Sequence, residues 1–303
     1  MRTIKKAAPA LALILGATLV PTATTGSADA AAANPKGTAY DTIGVTSFNA
    51  FQNLTAAQAK ADAHKLISTA DVDIIGWQEA QNFLSVYDKQ LPKGWKTAKF
   101  YNSKGKRTAR ELPISWDNRV YALVKGSNKA YFAHGGIAKK FPARFTTRVV
   151  LKHRKSGKTI SVLNVHANSD IQRHDGANCG KAKDNVNARR AKEHFQDVRD
   201  IAARQRSTHT VVTGDFNVRY SCDKTRGPQS FPHRKFAGVL VPSYAKLKNP
   251  SLGTKGTNFI DYVYLGTKDV NGTAKDAKFT SHRVFGGLRS DHRPINARIK
   301  LYK

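Results

Sequence analysis

The chain has 303 residues, 51 of them Lys or Arg against 21 Asp or Glu, for a formal net charge of +30 at pH 7. That length, with 40% apolar residues, suits one large α/β domain or two small ones. A surplus of this size speaks to partners and solubility, with phosphate polymers the obvious partner, and says nothing of fold; the two cysteines have no CxxC spacing or paired histidine, which argues against a structural zinc site.

Arg2, Lys5 and Lys6 precede an apolar stretch from Ala7 to Val20, and Ala28, Asp29 and Ala30 fit a small-residue cleavage site, the pattern of a secretory signal. The apolar core is too short and too Ala-rich to span a membrane comfortably. We therefore expect export, with a removed leader over 1–33, cleavage between Ala30 and Ala33, and no stable membrane association. No linker or repeat interrupts residues 34–303, which read as one domain.

An extended GVTSFNAF segment comes first. Thr55 then caps a predicted helix running to about Ser68, with Ala59, Ala63, Leu66 and Ile67 facing inward. A strand over Ile74, Ile75, Gly76 and Trp77 ends in Gln78 and Glu79, and a polar, aromatic stretch follows to about Gly105. Extended runs are expected from Pro113 to Lys125, Lys129 to His134, Phe145 to Lys152 and Thr159 to Ala167. Lys155, Ser156, Gly157 and Lys158 form a hairpin turn between the last two. From about Asn185 to Arg206, Val186, Phe195, Val198, Ile201 and Ala202 fit an amphipathic helix packed on a sheet, with Arg189, Arg190, Arg199 and Arg204 on its outward face. Thr210 to Thr213 run into Gly214, Asp215, Phe216 and Asn217; Phe259 and Ile260 lead to Asp261 before Tyr262, Val263 and Tyr264.

Three of these β-rich runs end in, or are interrupted by, a lone carboxylate that an ordinary buried strand avoids. A fourth carboxylate stands in Ser290, Asp291, His292, Arg293, Pro294, near the C-terminus. Singly, each fits a turn or a solvated strand end; together they read as a phosphate-cleaving site. Asn49 in VTSFNAF and His166 and Asn168 in SVLNVHANS complete an ordered set. That set resembles the endonuclease/exonuclease/phosphatase superfamily, in its deoxyribonuclease I-like branch, along nearly all of residues 34–303. With the leader, the chain looks like a secreted bacterial-type member.

The resemblance implies an α/β fold: a four-layer sandwich of two mixed β-sheets packed face to face and flanked by helices. It implies a phosphodiesterase using Mg2+, or alternatively Mn2+ or Ca2+, hard cations that favour oxygen ligands. Glu79, Asn49 and Asp291 match the metal-binding positions. His292 matches the general acid/base residue, with Asp261 on its other ring nitrogen. His166 matches a second active-site histidine oriented by Glu111. Asp215 and Asn217 match residues that orient water and bind a phosphate oxygen, and Asn168 either helps that oxygen or caps a strand. His64, His134, His153, His174, His194, His209, His233 and His282 lack ligand spacing and are given no role.

Where the abasic-site repair branch carries an acid and a tyrosine, this chain has Phe51 and His166, which disfavours repair of abasic DNA. Basic residues cluster at Lys99, Lys104, Lys106, Arg107 and Arg110, at Lys139, Lys140, Arg144 and Arg148, and at Lys152, Arg154, Lys155 and Lys158. They favour a long polyanion held by phosphate contacts. The leading expectation is thus a monomeric, secreted, non-specific endonuclease cutting DNA, with RNA as a second polymer. The alternative is a sphingomyelinase-like or other lipid or small-molecule phosphoesterase, for which Phe83, Tyr87 and Trp95 are candidate docking aromatics; a third reading is a catalytically silent polyanion binder. Cys179 and Cys222 each follow a site motif, and in an exported protein the pair suggests a disulfide bracing two loops, against unbridged buried thiols.

Overall fold

The computed structural model describes residues 38–69, 71–135, 142–267 and 276–302. The leader expected over 1–33, and Lys139 and Lys140 of the second basic cluster, lie outside the described residues.

Strand β1 (Ala39–Asn49) is buried from Ile43 onward, as its run of Val45, Thr46, Ser47 and Phe48 requires. It pairs in parallel with β2 (Ile74–Gln78), and a parallel pair needs a crossover. The crossover is α1 (Ala56–Thr69), started by a reciprocal cap in which Gln58 N donates to Thr55 Oγ1 at 3.2 Å and Thr55 N donates to Gln58 Oε1 at 2.9 Å. A helix of six residues, α2 (Leu84–Lys89), and strand β3 (Trp95–Ala98) form within the polar, aromatic stretch that had no predicted element. Burial of Phe83, Tyr87 and Trp95 against Trp77 stabilises them, and the Trp77 and Tyr87 rings stack at 4.3 Å.

The run expected from Pro113 to Lys125 is not one strand. It divides into β4 (Ile114–Asp117) and β5 (Tyr121–Leu123), which lie in different sheets. Asp117 makes the break, its carboxylate accepting Arg119 N at 2.8 Å, as turn aspartates do. Next come β6 (Lys129–His134), β7 (Arg144–His153) and β8 (Thr159–His166), the last two joined by the expected hairpin. Helix α3 (Val186–Ala203) carries the chain to β9 (His209–Asp215), parallel to β8; Asn185 caps the helix through Ala188 N at 2.8 Å. Short helices α4 (Tyr220–Arg226) and α5 (Pro232–Lys235) precede β10 (Leu240–Pro242), β11 (Asp261–Gly266), β12 (Ala277–Val284) and β13 (Ile295–Tyr302).

One sheet has the order β12-β13-β1-β2-β4-β3, the other β10-β11-β9-β8-β7-β5 with β6 also on β7, and both mix parallel and antiparallel pairs. Ile43, Val45, Ile74 and Ile114 of the first sheet share one buried cluster with Val149, Leu151, Ile160 and Val162 of the second. A second cluster, with Phe48, Ala63, Leu66, Ile75 and Trp77, fills the space under α1 and α2. The layers are therefore helix, sheet, sheet and helix, as the resemblance implied.

Polar groups also join the sheets. Asn164 on β8 donates to Trp77 O at 2.6 Å and accepts from Gln78 Nε2 at 2.7 Å and Thr213 Oγ1 at 3.1 Å. All are buried, so each bond also satisfies a group that would otherwise be desolvated without a partner. In register, Asn49 faces Gln78 across the β1–β2 pair, and His166 faces Asp215 across β8–β9. Parallel pairing thus brings the ends of four strands to one edge of the sandwich.

Candidate active site

The edge where β1, β2, β8 and β9 end holds a cleft of about 260 Å³ lined by Glu79, Glu111, Arg144, His166, Asp215, Asn217, Lys255 and His292, with Gln52 and Ser169 at its margin. A larger groove, about 620 Å³, lies beside the end of α1; its Asp71 and Arg298 pair with each other, and it holds no imidazole–carboxylate pair. Chemistry selects the smaller cleft.

Just after β2, Glu79 sits in the left-handed region with φ 54° and ψ 28°, a sharp exit that turns its carboxylate away from the strand. Its Oε2 accepts Gln52 N and its Oε1 accepts Asn49 Nδ2, both at 3.1 Å. The same Asn49 nitrogen reaches Asp215 Oδ2 at 3.1 Å, so one buried amide ties two carboxylates from different sheets. Asn49 Oδ1 meanwhile accepts Phe51 N at 3.0 Å. The amide expected as a metal ligand therefore shows the carboxylates its nitrogen and does not line the cleft.

At the end of β9, Asp215 is 1% exposed. Burial, reinforced by nearby Asp261, raises its pKa, while His292 and His166 oppose the rise. Asn217 follows in the left-handed region with φ 52°, its backbone N donating to Asp215 Oδ1 and its side chain to Ala167 O at 3.1 Å.

Two imidazoles flank Asp215. His292 Nδ1 lies 2.9 Å from Asp261 Oδ2; a carboxylate only accepts, so Nδ1 carries the hydrogen and Nε2 is left for the cleft, 3.8 Å from Asp215 Oδ2. Burial alone would lower the His292 pKa, but the Asp261 and Asp215 charges outweigh it and push it up to about 9. His166 Nδ1 lies 3.3 Å from Glu111 Oε2, and its Nε2 lies 3.7 Å from the same Asp215 oxygen and 3.9 Å from Glu79 Oε1. Desolvation would raise the Glu111 pKa, yet Arg144 and His166 together hold it down at about 2.

A further expectation is corrected. Asn168 neither faces the cleft nor caps a strand: it is fully buried, accepts Arg144 Nε at 3.1 Å and lies 3.5 Å from His134. It supports Arg144 from behind, and His134, given no role above, belongs to that support. Asp291, expected among the metal-binding positions, is 41% exposed at its side chain and pairs at 3.0 Å with Lys255, which lines the cleft alongside Glu79.

Several residues here were not singled out from the sequence. Arg144, read only as one of a basic cluster, is 4% exposed and joins Glu111, His166 and Asn168. Asp62 of α1 accepts Arg289 N at 2.7 Å and Ser290 N at 3.2 Å, and Ser290 Oγ donates to Asn49 O at 2.7 Å, which anchors the SDH segment beneath the cleft. Lys255 stands in a turn between Gly253 and Gly256, the one local signal that a tight loop precedes Asp261. The expected Cys179–Cys222 disulfide is present and ties the segment after β8 to α4.

A hard divalent cation fits these residues. Among the described residues Asp215, Asp261 and His292 also place one ligand atom each within 4.8 Å of the others, but His292 already spends Nδ1 on Asp261. Glu79 and Asp215 offer oxygens only, and Mg2+ is commonly held by one or two carboxylates with water and substrate phosphate completing its shell. Glu79, 22% exposed at its side chain, is the accessible member.

No family model matches the sequence, and no curated protein matches it. Solved structures match in fold. An endonuclease/exonuclease/phosphatase family protein from Bacteroides thetaiotaomicron aligns over 87% of this chain and 97% of its own, at 17% identity and a TM-score of 0.58. TDP2 of D. rerio, complexed with a single-strand DNA product, aligns over 86% and 99% at 14% identity and a TM-score of 0.60. The human Nocturnin catalytic domain with bound sulfate aligns over 88% and 97% at 14% identity and a TM-score of 0.57. The chain shares the fold of these proteins. It is the deoxyribonuclease I-like fold of endonuclease/exonuclease/phosphatase family proteins.

Proposed function

We propose that the chain is a secreted, divalent-metal-dependent phosphodiesterase that hydrolyses nucleic acid, DNA first and RNA second, as one monomeric catalytic domain over 34–303. One observation carries the reading: the Nε2 atoms of His166 and His292 lie 3.7 and 3.8 Å from the same oxygen of Asp215, and each ring has its own carboxylate behind it. Hydrolysis of a diester needs two proton transfers, one from the attacking water and one to the leaving oxygen. The two imidazoles supply them. As the new P–O bond forms and the old one breaks, one ring takes a proton while the other gives one. Asp261 and Glu111 stabilise whichever ring is charged. Asn217 and Asp215 hold the water and a phosphate oxygen. A cation beside Glu79 and Asp215 would neutralise charge on the phosphoryl oxygens.

The net charge of +30 favours a long polyanion over a lipid headgroup. Phe83, Tyr87 and Trp95, the docking aromatics a lipid substrate would use, are at most 8% exposed. Among the described residues no helix is long and apolar enough to cross a membrane. The test is incubation of residues 34–303 with plasmid DNA, total RNA and sphingomyelin vesicles, with Mg2+, Mn2+ or Ca2+ and with excess EDTA, at two salt concentrations. Chelator- and salt-sensitive loss of polymer is expected. Intact polymer with release of phosphocholine would move the assignment to the lipid branch. The N-terminal residue of protein recovered from culture medium tests export.

A further inference from the structure

We propose that Lys255 is a catalytic residue whose ammonium binds a non-bridging oxygen of the scissile phosphate beside His292; this rests on the phosphodiesterase reading above. Asp261 occupies Nδ1 of His292, so Nε2 is the ring nitrogen that meets substrate. Lys255 Nζ lies 3.0 Å from that Nε2 and 3.0 Å from Asp291 Oδ2, and it lines the cleft with His166 and Asp215. An atom in this position adjoins any phosphate that His292 can reach.

The loop presenting Lys255 is built for placement. Lys255 N and Asn258 O bond at 3.1 Å, and Asn258 N returns to Lys255 O at 2.9 Å, closing a two-residue turn with Gly256 at φ 56°. Gly253 admits no side chain: a Cβ there would meet Thr257 C at 2.4 Å. Arg293, the residue after His292, donates through Nη1 to Gly253 O at 2.9 Å and Gly256 O at 2.8 Å, and its N donates to Thr254 O at 2.7 Å. Thr254 Oγ1 accepts Ile260 N and Asp261 N at 3.1 and 3.2 Å. The lysine loop, Asp261 and His292 are therefore one interlocked unit.

Charge and donor count point the same way. Glu79, Glu111, Asp215, Asp261 and Asp291 stand in or around the cleft, and an incoming phosphodiester adds negative charge that grows as water attacks. Arg144 is committed to Glu111 and Asn168. An ammonium has three hydrogens. Asp291 takes one and His292 Nε2 lies beside another, which leaves at least one for phosphate. A plain surface ion pair with Asp291 would need no contact with His292.

The test compares wild type with Lys255→Met and Lys255→Arg on bis(p-nitrophenyl) phosphate, a diester too small for polymer contacts, and measures inorganic phosphate binding by calorimetry on EDTA-treated protein. Loss of a preorganised donor to the reacting oxygens should lower kcat about 100-fold in Lys255→Met. KM should change much less, the thermal midpoint should hold, Lys255→Arg should recover part of the rate, and phosphate binding should weaken at least about tenfold. Wild-type kcat in Lys255→Met, a defect confined to plasmid substrate, or phosphate binding that is unchanged or absent in wild type overturns the proposal. If wild type cleaves no diester, the phosphodiesterase reading fails instead, and the phosphate measurement still decides whether Lys255 holds an anion.

Discussion

Arg144 and Glu111 meet at 2.6 Å beneath the cleft, with side chains 4% and 10% exposed, and the guanidinium is the permanent charge facing Glu111, with the His166 imidazole 3.3 Å away on the same oxygen. Removing one charge from such a pair leaves the other desolvated, which typically costs about 3–5 kcal/mol. Arg144→Met should therefore destabilise the fold by that order and let Glu111 take up a proton. Arg119→Met, which breaks a pair between a 70% exposed guanidinium and Asp117, should cost less because solvent reaches the pair. Urea unfolding of both variants decides; equal midpoints would mean that the buried pair contributes no more than a surface contact.

Asp261 governs His292 through a single 2.9 Å bond. Asp261→Asn keeps the shape but loses the charge, and the new amide can face Nδ1 with either its oxygen or its nitrogen, so the tautomer is no longer fixed. We expect kcat to fall about 10²–10⁴-fold, close to the loss in His292→Ala, since both disable one proton carrier. Steady-state rates on a small diester at saturating metal provide the comparison. An Asp261→Asn enzyme near wild-type rate would remove the dyad from the mechanism.

Much of this site was legible because its groups sit in short motifs at strand ends, where a carboxylate interrupting an apolar run marks itself. Asp215, Asp261, His166 and His292 are of this kind. Asp291 and His292 adjoin in a bend before β13 and are placed differently: the His292 side chain is 2% exposed, while that of Asp291 is 41% exposed and pairs with Lys255. Arg144 and Lys255 gain meaning only from residues far along the chain, Glu111 33 positions away and His292 37 positions away, and no local pattern records such a distance. The division of residues 113–125 between two sheets is likewise a tertiary event: β4 and β5 look like one apolar run until each finds its own partner strand.

Stability should depend on pH in two windows in EDTA-treated protein. The folded His292 pKa of about 9 lies above its ordinary value of 6.5, so its contribution is present in full below about pH 6.5 and is lost as pH rises through about 9. Glu111 behaves oppositely: its folded pKa of about 2 lies below the ordinary 4.5, so its contribution is present above about pH 4.5 and is lost as pH falls through about 2. The measurement is the difference in thermal midpoint between wild type and His292→Ala from pH 6 to 10. That difference should shrink across the upper window, and a constant gap would show that Asp261 and Asp215 do not hold the ring charged.

The last prediction concerns why the two sheets stay in register at the cleft. Gly76 on β2 faces the second sheet, and a Cβ there would meet Thr213 Oγ1 at 2.0 Å and Asn164 Oδ1 at 2.7 Å. Both atoms belong to the buried polar group that ties Trp77 and Gln78 to β8 and β9. Immediately after Gln78 on one side, and at the end of β9 on the other, stand the carboxylates that Asn49 holds together, so a wedge at Gly76 pushes Glu79 away from Asp215. Gly76→Ala should lower stability by about 1–3 kcal/mol, as overpacking does, and should lower activity on a small diester as well. Gly135→Ala, at a position with nothing within 4 Å and no positive φ, is the control and should change neither. Loss of stability with full activity in Gly76→Ala would show that the spacing of Glu79 and Asp215 does not depend on the contact between the sheets.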